Sequence, residues 1–123
     1  MTPEERKELV LFYLGKTVTI EIDRPIGFLH QKESYTLTYP INYGYLPGVL
    51  GGDGEELDVY LLGVDRPVER YTARIIGVVY RENDVEDKLI AAPEGVWFDK
   101  ESVSKQIHFQ EQYYKTRVEV IER

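Results

Sequence analysis

Leu57-Asp58-Val59-Tyr60-Leu61-Leu62 carries apolar side chains on both faces of an extended segment. Successive residues of a strand point to opposite faces, so a strand apolar on both is covered on both. This is a central strand, and the rest of the chain is read around it. Ahead of it, residues 40–54 hold two prolines and five glycines, Gly51-Gly52-Asp53-Gly54 among them, and read as a loop. Further back, Val18, Ile20 and Ile22 alternate with Thr17, Thr19, Glu21 and Asp23. That is a half-buried strand over Lys16 to Arg24, broken by Pro25 and Gly27. Tyr35 to Tyr39 reads as a short strand stopped by Pro40. Beyond the central strand, Asp65-Arg66-Pro67 turns and Tyr71 to Arg81 forms a long strand rich in β-branched residues. Glu82 to Asp87 is an acidic hairpin loop, Lys88 to Ala92 a short strand ending at Pro93, and Val118 with Val120 a last strand.

Two helices flank these strands. Thr2-Pro3-Glu4-Glu5 offers an N-cap, a proline at the first helical position and a capping-box glutamate. Leu9, Val10, Phe12, Tyr13 and Leu14 follow, and Gly15 ends the run. Asp99 caps a second helix expected to reach about Lys115, with Val103, Ile107, Phe109 and Tyr113 on its apolar side. Helix, several mostly antiparallel strands, helix and a short strand make an α+β, mainly β, fold. The expected architecture is a small closed or half-closed barrel with helices outside. Residues 1–123 read as one domain, with 1–15 as a helical extension.

The composition narrows the function. Lys plus Arg is 15 and Asp plus Glu is 22, a net charge of −7 over 123 residues. A nucleic-acid or anionic-membrane surface wants a basic stripe instead. The absence of cysteine excludes iron–sulfur clusters, thiolate zinc, a cysteine nucleophile and disulfides. His30 and His108 read as surface or packed residues rather than ligands, and Trp97 as packing or a subunit contact. No stretch reaches the roughly 20 apolar residues of a membrane span. The N-terminus is acidic and helix-starting, so the expectation is a soluble, cytoplasmic protein.

Three segments carry chemistry. Asp53-Gly54-Glu55-Glu56-Leu57-Asp58 gathers carboxylates where a loop enters the central strand. With Leu57 inward, Asp58 shares the other face with Tyr60 and Leu62, so it is partly desolvated and wants a cation or donors. Hard oxygen ligands suit Mg²⁺, Mn²⁺ or Ca²⁺; the same segment read alone is equally a solvated acidic turn. Glu82-Asn83-Asp84-Val85-Glu86-Asp87-Lys88 is a second acidic group, by itself an exposed turn, and becomes functional only if it faces the first. Tyr39-Pro40-Ile41-Asn42-Tyr43-Gly44-Tyr45 supplies either aromatic core or neutral donors for phosphate oxygens.

In this order the three segments resemble the family I soluble inorganic pyrophosphatases. The matching motifs are Y-P-x-N-Y-G, a D-G-D-P-x-D signature and D-x-K-L/I-I/V-A-x-P, and the resemblance covers residues 16 to about 115. It implies a five-stranded OB-like barrel with flanking helices. It also implies hydrolysis of pyrophosphate to two phosphates by metal-activated water, with several Mg²⁺ ions, Mn²⁺ being a substitute. Carried over by position, Asp53, Asp58, Asp84 and Glu86 match metal ligands, and Glu21 a carboxylate that assists them. Glu55 matches the general base. Tyr39, Tyr43, Lys88 and Tyr113 match groups that hold the phosphates or order the site. Glu55 and Glu56 replace the family's usual Asp and Pro, and the segment between Glu21 and Tyr39 is shorter by about a hairpin. The family's cationic clamps there have no clear counterpart; Arg24, Lys32, Arg74 and Arg66 are the candidate substitutes. Tyr114 stands where the family has Lys, with Lys115 one position on, about 100° around a helix. The resemblance further implies a homo-oligomer, and no nucleic-acid or membrane partner is expected. Two other readings stay open: a phosphohydrolase of another phosphoanhydride, and a noncatalytic module that binds pyrophosphate or metal.

Overall fold

The computed structural model describes residues 1–121. Its elements are α1 (Pro3–Tyr13), β1 (Thr17–Arg24), β2 (Leu29–Gln31), β3 (Thr36–Thr38), β4 (Asn42–Leu50), β5 (Glu56–Leu61), β6 (Arg70–Arg81), β7 (Lys88–Ala92), α2 (Lys100–Glu111) and β8 (Thr116–Val120). The sheet order is β1-β4-β5-β7-β6, and β1 also pairs with β6, which closes a five-stranded barrel. β8 adds to the outer edge of β6, and β2 with β3 forms a separate hairpin. β5 and β7 run parallel, and the other pairings are antiparallel.

The central strand is where the sequence puts it, and its two faces serve two cores. Leu57, Val59 and Leu61 join Ile20, Ile75 and Leu89 inside the barrel, and Val10 of α1 plugs this cluster. Tyr60 and Leu62 lie on the outer face with Ile76 and Ile90, under Val103 and Ile107 of α2. α1 starts as its sequence dictates: Thr2 caps the Glu5 amide and Glu5 reaches back to the Thr2 amide. Asp99 caps α2.

Three expectations are corrected. Residues 42–50, read as loop, form the nine-residue strand β4. The glycine signal misleads because Gly44 serves a close strand crossing. A Cβ there would lie 1.9 Å from the Glu21 carbonyl oxygen of β1. The irregularity is confined to a register shift between Tyr45 and Leu50, where Gly48 has φ +78°. Second, β2 was not foreseen; it gives the shortened segment a small hairpin of its own. Third, α2 ends at Glu111 rather than near Lys115. The chain leaves the helix because β8 must begin at Thr116, and the Lys115 backbone pairs with Glu82 and Asn83 on the way.

Candidate active site

A cleft of about 180 Å³ opens over the outer face of the barrel. Its walls come from the end of β1, the β2–β3 hairpin, β4, β5, the β6–β7 turn and the C-terminal end of α2. Lys88 and Asp58 form its floor. Lys88, on β7 and 2 % exposed, donates to Asp58 Oδ2 at 2.8 Å and to Glu86 Oε2 at 3.4 Å. Tyr43, on β4, donates to the same Asp58 oxygen at 2.8 Å. Burial, then the Asp58 carboxylate, holds the Tyr43 hydroxyl well above its ordinary pKa, so it stays a donor.

A local irregularity sets one wall. β1 shifts register between Ile22 and Arg24. A bulge of this kind re-aims a side chain, and here both Asp23 and Arg24 line the cleft. Strict alternation would put adjacent residues on opposite faces. Arg24 is held by the Tyr39 hydroxyl, which in turn donates to Gln110 Oε1. Asp23 is pushed upward in pKa by burial. The hairpin brings His30, Lys32 and Tyr35 to the facing rim.

The acidic loops meet across the barrel edge. A Cβ on Gly52 would lie 2.5 Å from the Val85 carbonyl oxygen and 2.9 Å from Arg6 Cδ, so only glycine admits this approach. It brings Asp53 beside Glu86. The adjacent Asp53 carboxyl, then burial, raises the pKa of Glu86, while sharing with Glu86 lowers that of Asp53. Arg6 of α1 anchors the second loop: it donates to both oxygens of Asp87, at 2.9 and 3.2 Å, and to the Asp84 carbonyl at 3.0 Å.

At the inner end stands Arg81, the last residue of β6 and 2 % exposed. Its guanidinium donates to Glu111 Oε2 at 2.7 Å, Glu111 Oε1 at 3.0 Å and Glu86 Oε2 at 3.1 Å, and lies 3.5 Å from Asp84 Oδ2. It also stacks 3.6 Å over the Tyr114 ring. Burial alone lowers its pKa, but the Glu111 hydrogen bonds outweigh that and raise it. Glu111 accepts further from Tyr60.

The sequence-predicted residues divide accordingly. Tyr43, Asp58, Glu86, Lys88, Arg24 and Tyr113 line the cleft; Tyr113 sits at its mouth, stacked on Tyr35. Asp53 stands behind Glu86, and Asp84 between Val85 N and Arg81. Tyr39 is buried behind Arg24 rather than facing the cleft. Glu21 is spent on Arg70 at 2.6 Å. Lys115 points outward to Glu82 at 3.6 Å and is mostly exposed, because it lies past the helix end and the helical rotation does not apply. Glu55 is exposed on the loop. Of the candidate clamps, Arg24 and Lys32 reach the cleft, Arg74 pairs with Glu94, and Arg66 does not line it.

Asp23, Arg81, Gln110 and Glu111 were missed. The last two had a signal: with Val103 and Ile107 they fall at i, i+4, i+7 and i+8 of α2, so polar residues occupy the buried stripe. Such residues need partners, and here they bond Tyr39, Tyr60 and Arg81.

The resemblance implies Mg²⁺, and the donor set can be tested against it. Among the described residues no three carboxylates converge to hold an ion. The Asp53–Glu86 edge brings two oxygen donors together, the ligand type a hard divalent cation takes, with Glu86 Oε2 also accepting from Arg81 and Lys88. The Asp84–Glu111 end does not fit, because Arg81 already neutralises it.

A five-stranded barrel with two helices and a small cleft of interleaved cations and carboxylates defines the structural class. The family model for inorganic pyrophosphatase matches residues 13–123, and the chain belongs to that family. An inorganic pyrophosphatase of Saccharolobus solfataricus is 35 % identical over 97 residues, covering 74 % of this chain and 56 % of the relative. One of Rickettsia prowazekii is 34 % identical over 83 residues, covering 62 % and 48 %. The chain thus spans about half the length of the curated relatives it matches. The fold is similar to that of the crystal structure of inorganic pyrophosphatase from Ehrlichia chaffeensis, with TM-score 0.67 at 19 % identity over 88 % of both chains. The Helicobacter pylori enzyme gives 0.60 at 21 % identity, covering 88 % of this chain and 85 % of that one.

Proposed function

We propose that this chain hydrolyses inorganic pyrophosphate to two phosphates with Mg²⁺. The observation that carries the reading is the cleft itself: Lys88 set between Asp58 and Glu86, with Arg24 and Lys32 facing them. At about 180 Å³ it is smaller than the roughly 300–1,000 Å³ pockets that take drug-sized ligands, which favours a small anion over a nucleotide.

Phosphoryl transfer is catalysed mainly by positioning and charge neutralisation. Arg24, Lys32 and Lys88 bind the phosphate oxygens, and Tyr43 adds a neutral hydrogen bond from a hydroxyl that burial keeps protonated. Tyr113 covers the mouth. Asp53 and Glu86, with Asp58 nearby, would hold Mg²⁺, which would supply charge neutralisation and a more acidic water. Glu55 takes the proton of the attacking water, on the family pattern. Glu21 supports the site only if it leaves Arg70, and Lys115 contributes long-range charge. Assembly into a homo-oligomer belongs to the same reading and is checked by light scattering. Among the described residues no helix is long and apolar enough to cross a membrane.

The test is phosphate release from pyrophosphate with and without Mg²⁺, with Mn²⁺ and ATP as comparison arms. Metal-dependent release from pyrophosphate but not ATP is expected. Release from ATP instead would point to another phosphoanhydride, and no release from folded protein to a binding module. Glu55→Gln should lower turnover by about 10²-fold or more while metal binding persists.

A further inference from the structure

The carboxylates of this cleft outnumber the places left for a metal ion, and Arg81 is the reason. Its guanidinium is buried and held on three sides: a two-pronged pair with Glu111, a hydrogen bond to Glu86 Oε2, and the Tyr114 ring against its face. Planar two-pronged pairs of this kind are among the strongest a side chain makes. Lys88 donates to the same Oε2 of Glu86. Arg81 also lies within 3.5 Å of Asp84 Oδ2. A divalent ion bound between Glu86, Asp84 and Glu111 would have to meet a fixed positive charge at the centre of its own ligand set.

We propose that Arg81 is a resident, protein-borne cation that takes the place of one divalent ion at the inner end of the cleft. In the absence of substrate the chain then takes a single divalent ion, away from the inner end where Arg81 occupies the Glu86, Asp84 and Glu111 carboxylates. This rests on the metal-dependent reading above, but it concerns how many ions bind and not whether pyrophosphate is cleaved. One cost follows from the geometry: a fixed guanidinium cannot leave with product as a free ion can.

The experiment is a Mn²⁺ titration of metal-free protein, read by electron paramagnetic resonance and calorimetry, without pyrophosphate. Wild type is expected to bind one Mn²⁺ per chain. Glu111→Gln keeps Arg81 and should also bind one. Arg81→Met removes only the cation, keeps Asp84, Glu86 and Glu111 as oxygen donors, and should bind a second ion. Two ions of similar affinity on the wild type would overturn the proposal, as would folded Arg81→Met protein that still binds one. If Arg81→Met does not fold, the Arg81 Nε–Hε resonance of the wild type decides. Its persistence unchanged at saturating Mg²⁺ supports the resident cation, and its shift to the value of a free guanidinium refutes it. Since no step of the titration needs turnover, a chain that fails to hydrolyse pyrophosphate can still pass it.

Discussion

Lys88 concentrates the chemistry of the cleft in one side chain. It is almost wholly buried, yet it lines the cleft while its ammonium donates to Asp58 and Glu86. On the proposed function, this ammonium is the one that meets a phosphate oxygen. Lys88→Met should lower turnover on pyrophosphate by about 10²–10³-fold, the scale for loss of one preorganised charge contact. Steady-state phosphate release checks this, and an unchanged rate would remove Lys88 from the site. Lys88→Arg should not restore the rate, because a planar fork does not replace a compact point charge seated between two carboxylates.

At the scale of elements, the site depends on two loops being held together by a helix. Gly52 permits the 51–54 turn to touch Val85, and Arg6 of α1 ties Asp87 and the Asp84 carbonyl in place. α1 lies almost entirely ahead of the matched family region, which begins at residue 13. Gly52→Ala should push the loops apart and weaken Mg²⁺ binding by roughly 10–100-fold, as loss of a supporting contact to a ligand does. Calorimetric titration reads this directly. Arg6→Ala strands the buried Asp87 carboxylate and should cost about 2–4 kcal/mol in urea denaturation, somewhat below a fully buried pair because Arg6 keeps partial contact with water. Gly44→Ala should be more damaging than either: its Cβ would collide with the β1 backbone, so the barrel could not close as it is.

For the whole molecule, net charge and closure matter together. The chain carries −7, and its Asp53 and Glu86 carboxyls meet at one edge of the barrel, where sharing between them and then burial raise the pKa of Glu86. A divalent ion that binds only the folded chain stabilises it by mass action. Mg²⁺ at a hundred times its dissociation constant should therefore stabilise the fold by about 2.7 kcal/mol. For a chain this size that is a rise of roughly 5–15 °C in Tm, read by calorimetry. A Tm indifferent to Mg²⁺ would mean that no such edge site exists.

Sequence alone determined much of the frame. Both helix starts follow from local capping chemistry, and the two-faced central strand from Leu57 to Leu62, because these features involve residues close in the chain. The family motifs likewise marked Tyr43, Asp58, Glu86 and Lys88, which the fold does gather in one cleft. Tertiary structure decided the rest. Gly44 and Gly52 read as turn formers, but their freedom is spent on close approach between segments distant in sequence. The bulge at Asp23 cannot be seen in an alternating pattern, since it depends on the partner strand's register. Glu21 and Lys115 match site residues by position, yet the nearest opposite charges, Arg70 and Glu82, claim them. Arg81 ended a β-branched run without any local mark of its role. Its partner Glu86 lies just across the β6–β7 turn, but Glu111 and Tyr114 come from the end of α2 and just past it, and only the folded barrel brings them within hydrogen-bond or stacking distance.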